Sequence, residues 1–189
     1  MSDRLIVTTS ADAFARGLDY LYGIRSLAPD PEMIDLIHDS KNREVICTWI
    51  GRKIDAVNQR LHQILQDCHN CFHTWEQPNL QIFAAPFARS FGIDAICNLE
   101  TEPITILVDV GRVLPEDWLL LVLHEYAHAH AGSPGHHLQF ARSLTHLCLG
   151  LEITPPIVQP GQEDCLRFYP PCPLIPDPLA FWRGEGQEW

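Results

Sequence analysis

An apolar run from Leu119 to Leu123 is bordered by clear helix start and stop signals. Pro115 and the two acidic residues after it suit the first turn of a helix, because they complement its dipole. The segment Gly132 to Gly135 ends the helical pattern. Since a helix that is apolar on all sides is a buried helix, the pattern predicts a buried helix of about 17 residues.

A second helix is predicted directly after this stop. Apolar residues recur there at steps of three and four, which is the spacing of one helix face. They are Leu138, Phe140, Ala141, Leu144, Leu147, Cys148 and Leu151. We expect this helix to pack back against the first, with a tight turn between them.

The N-terminal part of the chain also has helical spacing. Helices are predicted over Ala11 to Arg25 and over Pro31 to His38, the second with Met33, Ile34 and Ile37 facing inward. A longer helix is predicted where apolar residues recur at Ile54, Val57, Leu61, Ile64, Leu65 and Cys68.

Three short segments between the helical regions are predicted to be strands. They are residues 80–85, 95–99 and 104–110. The last segment largely alternates apolar and polar residues, with Leu107 as an apolar exception, which is typical of a strand. Gly92 and Pro103 mark the turns that separate the strands.

Residues 154–189 differ in composition from the rest of the chain. Eight of its 15 prolines lie between Pro155 and Pro178, and proline interrupts helices and central strands. The apolar content is nevertheless too high for a disordered linker. We therefore predict one domain over residues 1–189, with a helical part (1–75), a part that holds the sheet and the two later helices (78–153), and an irregular tail (154–189) packed on the body.

Charge and cysteine content restrict the function. The chain has 13 basic and 24 acidic residues, a formal net charge of −11, which disfavours binding to nucleic acids and to anionic membranes. No segment reaches about 18 consecutive apolar residues, and Met1 to Leu5 lack the apolar region of a secretion signal. Seven cysteines, an odd number, favour reduced thiols. We expect a cytoplasmic protein.

The end of the buried helix carries the clearest chemical signal. His124, Glu125 and His128 have the spacing H-E-x-x-H. Residues four apart lie on one face of a helix, so both imidazoles can bind one metal ion, whereas Glu125 is rotated away by about 100°. A metal would satisfy polar groups on a buried helix. The alternative is that these residues emerge at an exposed helix end.

A zinc site needs a third protein ligand and an open position. His136 and His137 lie just past the predicted turn, and geometry alone does not separate them. The longer metzincin spacing is absent, because Ala131 and Pro134 stand where that pattern has glycine and the third histidine.

The segment from Val122 to Phe140 resembles the SprT-like and related minimal zincin metallopeptidases. Those proteins carry an apolar run, H-E-x-x-H, a short turn with Gly or Pro, and a His followed four residues later by Phe. His136 and Phe140 have this separation, so the resemblance favours His136 over His137. His137 and the two residues after it replace the Gly, Pro and Glu that often follow the third histidine.

The resemblance implies a zinc-dependent hydrolase of peptide bonds in an α+β, zincin-like fold with a small, mostly antiparallel sheet. Zn²⁺ would be bound by His124, His128 and His136, with Glu125 as general base. The strand nearest the site could take an extended peptide or protein substrate by β-augmentation. Tyr169 is a candidate oxyanion donor, although simple packing is its more frequent role.

Two alternatives differ from this hydrolase in function. One is a zinc-binding but catalytically silent domain that acts as an interaction module, with its cleft plugged by the tail. The other is an α+β domain without metal.

The cysteine pairs offer a separate possibility. Cys68 and Cys71 have C-x-x-C spacing, while Cys165 and Cys172 are further apart. A structural zinc site usually draws four ligands from two close pairs. Because Cys68 lies in the apolar stripe of a predicted helix, we expect it to pack as a small hydrophobic residue.

Overall fold

The computed structural model describes residues 9–159 and 161–185 and has an α+β architecture. The segment Met1 to Leu5, to which the expectation about a secretion signal refers, lies outside the described residues. The α-helices are α1 (Ser10–Leu27), α2 (Arg43–Asn70), α3 (Trp118–Ala131), α4 (Leu138–Gly150) and α5 (Pro178–Trp182). The strands are β1 (Leu80–Ala84), β2 (Ala95–Asn98) and β3 (Ile104–Val108).

The three strands form a mixed sheet in the order β1-β3-β2. β3 pairs in parallel with β1 and antiparallel with β2, so the expectation of a mostly antiparallel sheet is corrected. The chain passes from β1 to the far edge, forms β2, and returns to place β3 between them. As the central strand, β3 is buried from Thr105 to Val108, which explains why Leu107 breaks the alternation of the sequence.

Helices α1 and α2 pack so closely that their backbones touch. A Cβ atom at Gly17 would lie 1.8 Å from the carbonyl oxygen of Cys47, and one at Gly51 would lie 1.8 Å from that of Ala13. Glycine is therefore required at both crossing positions. The long helix α2 then lies against the sheet and α3, and its buried face includes Cys68.

The helix predicted over residues 31–38 is wrong. Two 3₁₀ turns, Pro31–Met33 and Leu36–His38, occupy this segment and are separated by Ile34 and Asp35. Ile34, Leu36 and Ile37 are all buried. A continuous α-helix would rotate Leu36 by about 200° from Ile34, so the break lets these side chains enter the same core.

Helix α3 ends at Gly132, which has the left-handed conformation with φ 62°. The short turn after it leads into α4, which packs back against α3 as expected. The tail adds a 3₁₀ helix, Glu163–Phe168, and then α5. Leu166 and Trp182 are almost fully buried, so these two residues attach the tail to the body. None of the helices in the described residues is long and apolar enough to cross a membrane.

Candidate metal centre

Three histidines meet at the junction of α3 and α4. His124 and His128 project from one face of α3, and the turn after Gly132 returns His136 to them. Potential ligand atoms of the three side chains all lie within 4.8 Å of one another. The Nε2 atoms of His124 and His136 are 3.1 Å apart, while Nε2 of His137 instead lies 2.7 Å from the Ser133 hydroxyl.

Backbone carbonyls fix the orientation of two of these rings. Nδ1 of His124 lies 2.7 Å from the carbonyl oxygen of Tyr169, and Nδ1 of His128 lies 2.9 Å from that of Ser133. Because a carbonyl only accepts hydrogen bonds, Nδ1 must carry the proton, which leaves the Nε2 lone pair of each neutral ring available to a metal.

The side chain of Phe140 packs against all three rings. Its ring centroid lies 5.0 Å from that of His124, 4.4 Å from that of His128 and 4.8 Å from that of His136. Phe140 is fully buried in α4. The four-residue spacing thus places the ring of Phe140 against His136 and against the other two histidines.

The electrostatic environment keeps the imidazoles neutral. Burial lowers the pKa of His124 and of His128 to about 4, and burial also lowers the pKa of His136. Three neutral nitrogens are a donor set suited to zinc and other divalent transition metals. Nitrogens bound to a tetrahedral zinc ion at about 2.0–2.1 Å lie roughly 3.3–3.4 Å apart, close to the separation of His124 and His136. The three histidines can therefore hold a metal ion.

Glu125 lies beside this cluster but faces the sheet. It is 8% exposed, and burial raises the pKa of its carboxyl group to about 8, an effect that a backbone hydrogen bond from Cys97 partly offsets. The carboxyl group is thus held between α3 and β2, at the edge of the histidine cluster formed by His124, His128 and His136.

Strand β2 is an edge strand, and alternate residues point their backbone groups outward. The backbone N–H of Asp109 donates to the carbonyl of Asp94 at 2.8 Å, which marks these two residues as a hydrogen-bonded pair in the register of β2 and β3. Since such pairs alternate along an antiparallel ladder, Ala95 and Cys97 point their N–H and C=O groups toward the open edge. The direction of the Cys97 N–H agrees with its hydrogen bond to Glu125.

A cleft of about 1050 Å³ runs over the histidines. Residues 92–100, which include β2, and the tail residues 167–172 and 174 line it together with α3. The cavity is also lined by His124, Glu125, His128 and His136. Its volume is slightly above the range of about 300–1,000 Å³ that is typical of ligand sites.

Tyr169 does not have the arrangement expected of an oxyanion donor. Its hydroxyl donates to the backbone carbonyl of Thr154, and it is its own carbonyl that contacts His124. No sequence signal points to the carbonyls of Tyr169 and Ser133, because every residue has such a group. These contacts depend on the path of the chain.

None of the cysteines in the described residues joins the three histidines as a potential metal ligand. All seven are free thiols, and Cys68 is fully buried, with a pKa raised mainly by burial. Within residues 9–159 and 161–185, the three histidines are the group of side chains that meets the geometry of a metal site. Cys68 therefore packs as a hydrophobic residue.

Comparisons of the chain with family models, with curated proteins and with solved structures found no match.

Proposed function

We propose that this protein is a zinc-dependent metallopeptidase of the zincin type, which hydrolyses peptide bonds in its cleft. The observation that carries the proposal is the convergence of His124, His128 and His136 within 4.8 Å beside a buried glutamate. Three histidine ligands leave one position of a tetrahedral zinc site open, which is the arrangement of catalytic rather than structural zinc.

His124, His128 and His136 would hold the zinc ion through Nε2. When bound, zinc supplies a Lewis acid that polarises the substrate carbonyl and makes water more acidic. The protein's part is to keep the three rings neutral and oriented. The carbonyls of Tyr169 and Ser133 do this for two of them, and Phe140 limits the movement of all three.

Glu125 is suited to take a proton from the attacking water and to pass it to the leaving amine. It follows His124 directly on α3 and lies in the same cleft. Burial raises the pKa of its carboxyl group, which makes the carboxylate a stronger proton acceptor than an exposed one. The Cys97 N–H donates a hydrogen bond to this carboxyl group and holds it beside β2.

Strand β2 supplies a surface for the substrate backbone. The outward N–H and C=O groups of Ala95 and the outward C=O of Cys97 can pair with an extended peptide by β-augmentation. A peptide paired in this way would lie between β2 and the tail segment 167–174, across the histidines.

Glu125→Gln tests the proposal, because the amide keeps the size of the side chain but cannot accept the proton. Wild-type protein and the variant are purified without a His tag, their zinc is measured by atomic emission, and each is incubated with unfolded casein and a peptide library. We expect about one zinc per chain in both proteins. Cleavage, followed by mass spectrometry, should fall by about 10²–10⁴-fold in the variant.

Full activity of Glu125→Gln would exclude Glu125 as the base. Absence of zinc from the wild-type protein, even after zinc is added, would exclude the metallopeptidase altogether.

The contact between the tail and the site favours a second candidate. The carbonyl of Tyr169 touches a metal-binding residue, and residues 167–172 form one wall of the cleft. A zinc-binding domain without turnover would use this tail-lined cleft to bind a partner. Stoichiometric zinc together with no product from any peptide in the library would support this candidate over the first.

A further inference from the structure

Arg167 brings a positive charge into the cleft of an acidic protein. The chain has a formal net charge of −11, yet Arg167 is the one lysine or arginine among the described residues that line the cavity. Its side chain is exposed. A positive charge at this place can interact with a molecule bound in the cleft.

Hydrogen bonds connect the segment that carries Arg167 to the histidine cluster. Leu166, the preceding residue, is only 1% exposed and accepts a 2.9 Å hydrogen bond from the backbone N–H of Tyr169. The carbonyl of Tyr169 accepts the hydrogen bond from His124. Arg167 therefore lies in a hydrogen-bonded turn, two residues before the carbonyl that contacts His124.

The guanidinium group has no ion-pair partner in the described part of the chain. The arginines that do form ion pairs there are Arg16, Arg89, Arg112 and Arg183. Asp164 precedes Arg167 by three residues in the 3₁₀ helix Glu163–Phe168, and residues three apart in such a helix lie on the same side. Arg167 forms no ion pair within the described residues and keeps its hydrogen-bond donors free for a ligand.

We propose that Arg167 is a specificity residue that binds a carboxylate of the peptide substrate beside the histidine cluster. This assignment rests on the proposed function. A guanidinium group binds a carboxylate through two parallel hydrogen bonds, which a lysine or an amide cannot reproduce. The carboxylate is either the C-terminus of the substrate or the side chain of an Asp or Glu.

The wall that carries Arg167 also offers apolar contact. Phe168 is 80% exposed and Leu174 is 61% exposed, and both line the same cleft. Exposed apolar side chains in a cavity favour a ligand that can cover them. The preferred substrate is thus a peptide in which a carboxylate is next to an apolar side chain.

Two pairs of acetylated tripeptides test the assignment by binding rather than by turnover. The first pair is Leu-Gly-Leu with a free C-terminus and the same peptide as its amide. The second pair is Leu-Glu-Leu amide and Leu-Gln-Leu amide. Affinities are measured by isothermal titration calorimetry to zinc-loaded Glu125→Gln, which prevents cleavage. Each pair differs by one charge and keeps its shape.

We expect the charged member of one pair to bind about three- to tenfold more tightly than its neutral partner. The pair that shows this preference identifies the C-terminus or the acidic side chain as the source of the carboxylate. Adding Arg167→Gln should remove the preference, and Asp164→Asn should increase it. Raising the salt concentration should weaken it, because the pair is partly exposed.

Arg142→Gln is the matched control. Arg142 is exposed on α4 and does not line the cleft, so its loss changes the net charge equally and should leave the preference intact. Equal affinity within both pairs, or a preference that survives Arg167→Gln, would overturn the assignment. The zinc measurement is independent of these ratios, so a failure of the proposed function would be recognised separately.

Discussion

The indole N–H of Trp182 donates a 2.8 Å hydrogen bond to Oδ1 of Asp109 and so joins α5 to the end of the central strand. Both residues are almost completely buried. The carboxylate also accepts hydrogen bonds from the backbone N–H groups of Phe87 and Gly111 and from Arg112. The tail segment that lines the cleft is therefore held at its far end by a polar anchor inside the core.

Trp182→Phe should lower the free energy of unfolding. The hydrogen bond to a charged group contributes about 1.5–3 kcal/mol, and the smaller ring adds a packing loss that does not depend on pH. Because the lost donor stabilises the ionised form of Asp109, the destabilisation should be larger at pH 7.5 than at pH 4.5. Urea unfolding followed by circular dichroism checks this. An equal loss at both pH values would show that Trp182 acts through packing alone.

Asp109 should also make stability depend on pH. Burial raises its pKa from 3.8 to about 6, so the folded state holds the proton more tightly than the unfolded state does. Its contribution to stability is therefore fully present below pH 3.8 and decreases as the pH rises to about 6 and beyond. Asp109→Asn should remove this decrease. Urea unfolding of both metal-free proteins between pH 4 and pH 7.5 measures it, and parallel curves would contradict the assignment.

Gly17 and Gly23 lie in the same helix and should respond oppositely to alanine. A Cβ at Gly17 would lie 1.8 Å from a backbone oxygen of α2, whereas a Cβ at Gly23 meets no atom within 4 Å. Gly17→Ala should cost about 3 kcal/mol or more, since backbone must move. Gly23→Ala should stabilise by about 0.5–1 kcal/mol through its higher helix propensity. Thermal unfolding of the two variants decides, and a tolerated Gly17→Ala would contradict the close crossing.

Local patterns in the sequence predicted the parts of the fold that depend on local spacing. Pro115 begins a 3₁₀ turn, Pro115–Asp117, that leads into α3, and Gly132 ends the helix; these signals and the apolar run lie within about 17 residues. The spacing of His124 and His128 fixes their common face by helix geometry alone. The strand predicted over residues 104–110 was also recognisable, because a period of two needs only neighbouring residues.

The sequence did not predict features that depend on long-range packing. The position of β3 between β1 and β2 is set by how the chain returns to the sheet, which no local pattern records. The two turns at residues 31–38 form because Ile34 and Leu36 both enter the core. The chemistry of Tyr169 suggested its hydroxyl as an oxyanion donor. In the fold, that hydroxyl donates to the Thr154 carbonyl, and the backbone carbonyl of Tyr169 contacts His124.

Tyr169→Phe distinguishes an oxyanion donor from a packing residue. Because the hydroxyl donates to the Thr154 carbonyl, its removal should cost about 0.5–1.5 kcal/mol of stability and leave the backbone contact with His124 intact. Zinc content should be unchanged, and any peptidase activity should stay within about threefold. A true oxyanion donor would lose about 10²–10³-fold in kcat. A loss of that size with normal zinc would show that the hydroxyl turns toward the substrate during turnover.

His136 and His137 are adjacent in sequence, yet only His136 lies in the histidine cluster. The ring of His136 lies among the other two histidines and Phe140, while His137 contacts the Ser133 hydroxyl near the start of α4. Removing one of three ligands should weaken zinc binding by well over tenfold, because two imidazoles hold the ion far less tightly. We therefore expect His136→Ala to lose zinc during dialysis against a weak chelator, and His137→Ala to retain it like the wild type. Titration with a zinc-sensitive dye gives the affinities, with circular dichroism confirming that both variants are folded. Loss of zinc from His137→Ala alone would reverse the assignment and place His137 in the third position.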